Sequence, residues 1–423
     1  MTLPAESPQY RPRVADTELA IRLRSLGAVL IDGPKACGKT ATAMQVAASV
    51  YRMDEDLAAQ TLLANAPESL FDVPTPILFD EWQETPALWN RVRRQVDDRR
   101  AKGLYVLTGS ATPSDDVRRH SGAGRIGVLG MRPMSLYESG HSSGEVSLAA
   151  LFNGERQQAR EGALDFLEAV RRIVVGGWPE LIAVDEEAAR FWLDGYLTNA
   201  IEVDVQRLGS SRNPAALRRL LTALGRGVGQ AVKRKDLRAD VGGADGSIAE
   251  ETLTAYLAAL ERLHLIENSP AWRPHMRSRT PLRQASVYYF TDPSLGVAAL
   301  KVGSRDLIAD PQALGFHFEA LVLRDLRVYA GPLRAQVASW RDASGHEVDA
   351  VISVRDDLWG AVEVKLSPEA VDDAAASLLR FSKKVDQARH GAPAFLAVIV
   401  SHGRHAFQRL DGVYQIPIGC LGP

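Results

Sequence analysis

An apolar run, Gly27-Ala28-Val29-Leu30-Ile31, leads into Gly33-Pro34-Lys35-Ala36-Cys37-Gly38-Lys39-Thr40 and then into the helix-forming stretch Ala41-Thr42-Ala43-Met44-Gln45-Val46. A GxxxxGK[ST] loop set between strand and helix commits the start of the chain to an α/β fold with a parallel sheet. Its backbone N–H groups and the positive end of the following helix make a cradle for nucleotide phosphates. In that cradle residues 33 to 41 line the nucleotide, Lys39 adds a point charge and Thr40 supplies a hydroxyl to Mg²⁺.

The loop cannot account for a chain of 423 residues, which at roughly 100 to 200 residues per domain should hold several cores. Hydrophobic content of 46% with 24% charged residues is ordinary for a globular protein. The longest apolar run, Ala394 to Val400, is far short of the ~20 residues that span a bilayer, so no membrane segment is expected. The first twenty residues lack the apolar core of a secretory signal, and Cys37 and Cys420 are the only cysteines. Both facts point to a reducing cytoplasm.

The net charge of −2 hides an asymmetry. Nine Lys or Arg against Asp236 give the segment Arg207 to Arg238 a charge of +8, and four arginines, Arg273, Arg277, Arg279 and Arg283, give residues 271–283 a charge of +4. A basic middle of this kind is the footprint of a polyanionic partner, DNA ahead of RNA.

A helix is expected from the phosphate loop to about Tyr51. Beyond it, Pro76-Ile77-Leu78-Phe79 reads as a buried parallel strand ending in Asp80-Glu81. Ligands of an open α/β sheet lie beyond the carboxyl ends of its strands, so Asp80 can hold Mg²⁺ while Glu81 orients the attacking water or takes its proton. A second strand, Leu104-Tyr105-Val106-Leu107, ends in Thr108-Gly109-Ser110 and brings the Thr108 and Ser110 hydroxyls to the same edge. Arg125 and Arg132 are candidate stabilisers of transition-state charge, and action in trans would require a homo-oligomer.

With these motifs in place, the series GPKACGKT, ILFDEWQETPALWNRVRRQVD, LYVLTGS, SGAGRIGVLGMRPMSLYE and GGWPELI resembles the bacterial and archaeal AAA-like ATPases that carry a C-terminal DUF4143 domain. The resemblance covers nearly the whole chain. It implies ATP as the nucleotide, a P-loop core, a winged-helix middle and a restriction-endonuclease-like end. The domains are then expected at 1–140 (ATPase with an N-terminal arm), 141–205 (helical linker or lid), 206–304 (winged helix) and 305–423 (nuclease-like). Tyr137 and Glu138 also match the family, without a chemical role to assign.

The middle supports that outline from its own residues. Ser247-Ile248-Ala249-Glu250 fits a capping box at a helix start, and Leu253, Tyr256, Leu257 and Leu260 put one face of that helix in a core. Strands at Leu265-Ile266-Glu267 and Val287-Tyr288-Tyr289-Phe290 then flank the basic loop 271–283, the expected wing. Glu250, Glu251 and Glu261 on the exposed face would repel phosphates, which leaves backbone contact rather than base reading.

Near the end, Asp349 and Glu363-Val364-Lys365 form a D-x(n)-E-x-K pattern on two apolar strands. Paired strands would bring Asp349 and Glu363 to one Mg²⁺ or Mn²⁺, with Lys365 on the same face to position or deprotonate water. Glu319, on a helix opening near Gly315, is a candidate third ligand, while His317 and His346 read as structural or solvated. The expected activity is ATP hydrolysis coupled to action on nucleic acid, with metal-dependent cleavage as a second chemistry. A non-cleaving ATP-driven switch that binds a protein partner is the rival.

Overall fold

The computed structural model describes residues 10–109, 122–160, 162, 164–208, 212–272, 286–342, 344–354 and 358–423. Two compact units result, Met1–Met131 and Arg132–Pro423.

The first unit is a five-stranded parallel sheet of β1 (Ala28–Asp32), β2 (Ser49–Arg52), β3 (Ile77–Asp80), β4 (Tyr105–Gly109) and β5 (Ile126–Gly130), in the order β2-β3-β4-β1-β5. Helices α1 (Val14–Ser25), α2 (Lys39–Met44), α3 (Leu57–Asn65), α4 (Pro67–Phe71) and α5 (Ala87–Arg99) connect and cover it. Strands β3 and β4 are buried at every position, as expected of parallel strands covered on both faces. Phe71 meets Phe79 and Tyr105 edge-on, and Trp82 packs on Trp89 with ring centroids 5.1 Å apart. The helix after the phosphate loop stops at Met44 rather than near Tyr51. Ala48 N–H donates to the Pro76 carbonyl, which draws the next residues into β2 beside β3.

The second unit opens with β6 (Val146–Ser147), α6 (Leu148–Phe152), α7 (Phe166–Val175), α8 (Glu186–Asn199) and α9 (Val205–Arg207). Next come α10 (Pro214–Arg226), α11 (Arg234–Gly242), α12 (Glu250–Arg262), the antiparallel pair β7 (Ile266–Ser269) and β8 (Val287–Phe290), α13 (Pro293–Leu300) and α14 (Ser304–Ala309). The capping box expected at Ser247 is not formed. Helix α12 starts at Glu250 behind Ala249, and the Glu250 carboxylate is taken by Arg234. Residues 273–283 of the expected wing, including Arg273, Arg277, Arg279 and Arg283, lie outside the described residues.

Helix α15 (Pro311–Ala330) begins earlier than Gly315, with Pro311 at its first position and Asp310 accepting from Ala313 N–H. The sheet that follows holds β9 (Gln336–Arg341), β10 (Glu347–Val354), β11 (Leu358–Lys365), β12 (Phe395–Val400), β13 (Phe407–Gln408) and β14 (Tyr414–Pro417), in the order β13-β14-β12-β11-β10-β9. Helix α16 (Val371–Lys384) packs on β11 and β12, α17 (Gln387–His390) is a single turn, and β15 (Leu421–Gly422) pairs back onto β6.

A buried ionic knot ties distant segments of this unit together. Arg324 donates to Asp292 at 2.8 Å and to Asp325 at 2.7 and 2.9 Å, with all three side chains almost fully buried. Asp325 also accepts from Leu136 N–H, and Asp292 from Gly177 N–H, both at 3.0 Å. A Cβ on Gly177 would lie 2.0 Å from the Met134 carbonyl oxygen, so the Gly-Gly-Trp-Pro turn can close only on glycine. Tyr137 and Glu138 acquire a structural role here. Glu138 accepts from the Ser135 N–H and hydroxyl, and Tyr137 N–H donates to the Tyr329 hydroxyl.

Candidate functional site

In the first unit the phosphate loop is shaped by two glycines. A Cβ at Gly33 would sit 2.1 Å from the Met131 carbonyl oxygen, and Gly38 adopts φ of 100°, a left-handed conformation that favours glycine. Lys39 is buried, and its Nζ donates to the Gly33 and Pro34 carbonyls at 2.9 and 2.7 Å. Those partners bring hydrogen bonds but no negative charge, so the buried ammonium suits an anionic ligand. Lys35 and Ala36 are exposed, Cys37 is buried, and Ala41 is exposed on α2.

The sheet order places β4 between the strand leading into the loop and the strand ending in Asp80. As a result Thr40 Oγ1 donates to Asp80 Oδ1 at 2.8 Å, and Thr108 Oγ1 donates to the same oxygen. Hydroxyl and carboxylate oxygens gathered beside a phosphate cradle are the hard donor set that Mg²⁺ takes. Thr40 and Asp80 are the residues that would hold the ion with the nucleotide, and the bound ion would offset charge on the phosphate oxygens. Ser110 lies outside the described residues.

Glu81 follows β3 in a left-handed conformation, φ 51°, and accepts a hydrogen bond from the Gln83 amide. Burial pushes its carboxyl above the ordinary value, and nearby Asp80 adds to this; Gln83, Lys39 and Lys35 act in the opposite sense. Arg125 directs Nε to Asp97 at 2.8 Å on the exposed surface. Arg132 donates to Glu267 at 2.6 Å, and Arg327 donates to the other oxygen of Glu267 at 2.5 Å. Arg132 is thus paired with a carboxylate of β7 within the second unit. Burial alone would raise the Glu267 carboxyl, but the two arginines outweigh it and hold the group below its usual value.

Sequence reasoning named an N-terminal arm but not its contacts with the phosphate loop and α2. Arg13 Nη1 donates to the Cys37 carbonyl at 2.8 Å, and the Tyr10 hydroxyl lies 3.1 Å from Thr42 Oγ1 while donating to Asp16 at 2.5 Å. These partners are distant in sequence and belong to no local motif.

In the second unit the antiparallel register Ala350↔Val362 sets Asp349 beside Glu363. Asp349 Oδ2 accepts from Val364 N–H at 2.7 Å, and Lys365 Nζ donates to Glu363 Oε2 at 2.9 Å. Burial and the neighbouring Asp349 push the Glu363 carboxyl up to about 7. Burial disfavours a charged Lys365, yet Asp349 and Glu363 hold it above its usual value. Asp349, Glu363 and Lys365 thus meet as expected from their spacing. Glu319 instead accepts from the Tyr289 hydroxyl at 2.5 Å. No three His, Cys, Asp or Glu side chains gather as a metal cage among the described residues, so the expected ligand set Glu319, Asp349 and Glu363 is not assembled.

The basic middle is also less open than its charge sum suggests. Arg218 pairs with Glu202, Arg226 with Asp240, and Arg234 and Arg238 with Glu250. Lys233 and Lys235 are exposed. No helix among the described residues is long and apolar enough to cross a membrane.

Comparison with known proteins agrees with the geometry of the first unit. Residues 26–140 match the AAA domain family, residues 166–306 the domain of unknown function DUF8612, and residues 314–421 the domain of unknown function DUF4143. Uncharacterized proteins of Mycobacterium bovis and Mycobacterium tuberculosis are each 25% identical over 409 residues, covering 96% of this chain and 83% of the relative. A solved Walker-type ATPase of Pyrococcus abyssi is 17% identical, with a TM-score of 0.43 over 71% of this chain and 99% of that one. The domain matches, read with the phosphate loop and its parallel sheet, give the chain the make-up of an AAA-like P-loop ATPase with a C-terminal DUF4143 domain.

Proposed function

We propose that the chain binds ATP with Mg²⁺ at residues 33–41, Asp80 and Thr108, hydrolyses it with Glu81 as the water-orienting base, and uses the cycle to act on nucleic acid, DNA ahead of RNA. The observation that carries the ATPase half is the convergence of the Thr40 and Thr108 hydroxyls on one oxygen of Asp80. Lys39 would balance phosphate charge, and the proton of the attacking water would pass to Glu81. The nucleic-acid half is supported by the exposed Lys233 and Lys235 and by the cationic composition of residues 271–283. The middle segment, with α10, α11, α12 and the β7–β8 pair, is read as a winged helix that grips phosphates rather than bases.

A second reading, metal-dependent phosphodiester cleavage in a nuclease-like C-terminal domain, is favoured by the meeting of Asp349, Glu363 and Lys365. Two carboxylates suit an oxygen-seeking ion such as Mg²⁺ or Mn²⁺, which would supply positive charge at the scissile phosphate. Lys365 would place the water.

ATP turnover measured with and without single-stranded DNA, double-stranded DNA and RNA, with the products run on a denaturing gel, tests both halves. Turnover lost in Lys39→Ala and stimulated by one nucleic acid supports the proposal. Wild-type turnover indifferent to every nucleic acid would favour an ATP-driven switch for a protein partner. Strand scission lost in Lys365→Ala or Asp349→Ala, with ATP turnover retained, would support the second reading, and no nicking with either metal would sink it.

A further inference from the structure

We propose that Gln83 is a positioning residue for ATP hydrolysis, holding the Glu81 carboxylate with its amide N–H and offering its own carbonyl oxygen as a second acceptor for the attacking water. The inference rests on the ATPase reading of the phosphate loop and deepens it at one atom.

Two observations carry it. Gln83 lies in the single 3₁₀ turn Trp82–Glu84 directly behind Glu81, and its Nε2 donates to Glu81 Oε2. A carboxylate only accepts, so the amide nitrogen must face it and the amide oxygen must face away. That oxygen, Oε1, is buried and has no hydrogen-bond partner among the described residues. Buried polar atoms are nearly always satisfied, so a lone buried acceptor next to the general base calls for a donor. Water has two O–H donors, and Glu81 and Gln83 together present two acceptors.

The second observation comes from the neighbouring strand. A Cβ on Gly109, the last residue of β4, would lie 2.3 Å from Gln83 Oε1 and 3.1 Å from Trp82 Nε1. Glycine at that position leaves room for the Gln83 amide across the end of β4, one residue beyond the Thr108 hydroxyl that reaches Asp80. Gln83 is thereby held against the end of the strand that separates the loop strand from the Asp80 strand.

In the reaction the water oxygen bonds to the γ-phosphorus as the bond from that phosphorus to the bridging oxygen of ADP breaks. One water proton passes to Glu81. Gln83 exchanges no proton and forms no covalent bond. Its part is to fix the direction of the Glu81 carboxylate and of the water.

The test uses the full chain with Mg²⁺ and ATP, comparing wild type, Gln83→Met, Gln83→Ala and Gly109→Ala. Methionine keeps the length and packing of glutamine but neither donates nor accepts as an amide does. Losing the group that orients the base and the water should lower kcat by up to roughly a hundredfold in Gln83→Met and Gln83→Ala. The Kd for a fluorescent ATP analogue and the melting temperature should stay at wild-type values. In Gly109→Ala the added methyl pushes aside the end of a flexible side chain, so kcat should fall while the protein still folds and binds nucleotide. Wild-type kcat in Gln83→Met would overturn the inference, because packing alone would then explain the residue. Wild-type turnover no higher than that of Lys39→Ala would overturn the ATPase reading and this inference with it.

Discussion

The Tyr289 hydroxyl donates to Glu319 Oε1 at 2.5 Å, joining β8 to α15 through a buried phenol and a half-buried carboxyl. Burial and Asp349 push the Glu319 carboxyl well above its ordinary range, and Arg327 stands 5.2 Å over the Tyr289 ring. The bond matters because Glu319 is confined with another acid and needs a donor. Tyr289→Phe keeps the ring and removes that donor, so it should destabilise the second unit by roughly 1–3 kcal/mol. Urea unfolding with an unchanged m-value is the measurement, and an unshifted midpoint would show that the bond contributes nothing.

The Arg324 knot sets a larger expectation. Removing one member of a buried charge group leaves its partners uncompensated, at a cost of roughly 3–5 kcal/mol. Arg324→Met should therefore strand Asp292 and Asp325 and lower stability by about that much. Arg125→Ala breaks the exposed pair with Asp97 and an exposed hydrogen bond to the Ala123 carbonyl, and should cost at most about 1 kcal/mol. Equal effects of the two substitutions would contradict the role given to the knot.

The contrast also explains what was legible in the sequence. The phosphate loop, the Asp80 strand and the strand carrying Thr108 announce themselves through short motifs and unbroken apolar runs, because their chemistry is local. The meeting of Asp349 with Glu363 follows from strand alternation and one register. Strand β2 was hidden because only half its side chains turn inward at the sheet edge and the preceding residues favour a helix. Arg324 was illegible because its network joins Asp292, 32 residues away, with Leu136, whose N–H reaches Asp325 across 189 positions. The charge sum over Arg207 to Arg238 misled in the same way. It counts cations and cannot count Glu202, Asp240 and Glu250, which pair with four of them.

That pairing narrows the expected nucleic-acid interface. If Lys233 and Lys235 hold phosphates, Lys233→Glu with Lys235→Glu should weaken binding uniformly across sequences. Each phosphate left without its lysine should reduce the slope of log affinity against log salt by about 1. Fluorescence anisotropy over a salt series reads this directly. An unchanged slope would remove the α11 surface from the proposed interface.

His317 offers a pH-dependent test. Its ring is 1% exposed, both ring nitrogens lack a hydrogen-bond partner among the described residues, and burial lowers its pKa to about 4. Because the folded value lies below the ordinary 6.5, the unfolded chain binds this proton more readily than the folded one. The contribution is therefore fully present above pH 6.5 and is lost as pH falls toward 4. The span between those values corresponds to about 3 kcal/mol at its limit. His317→Leu removes the titrating ring and fills much of its volume, so the variant should lose less stability than wild type between neutral pH and about pH 4.5. Urea midpoints measured across that window check the expectation, and parallel pH profiles for the two proteins would show that His317 is not the group being protonated.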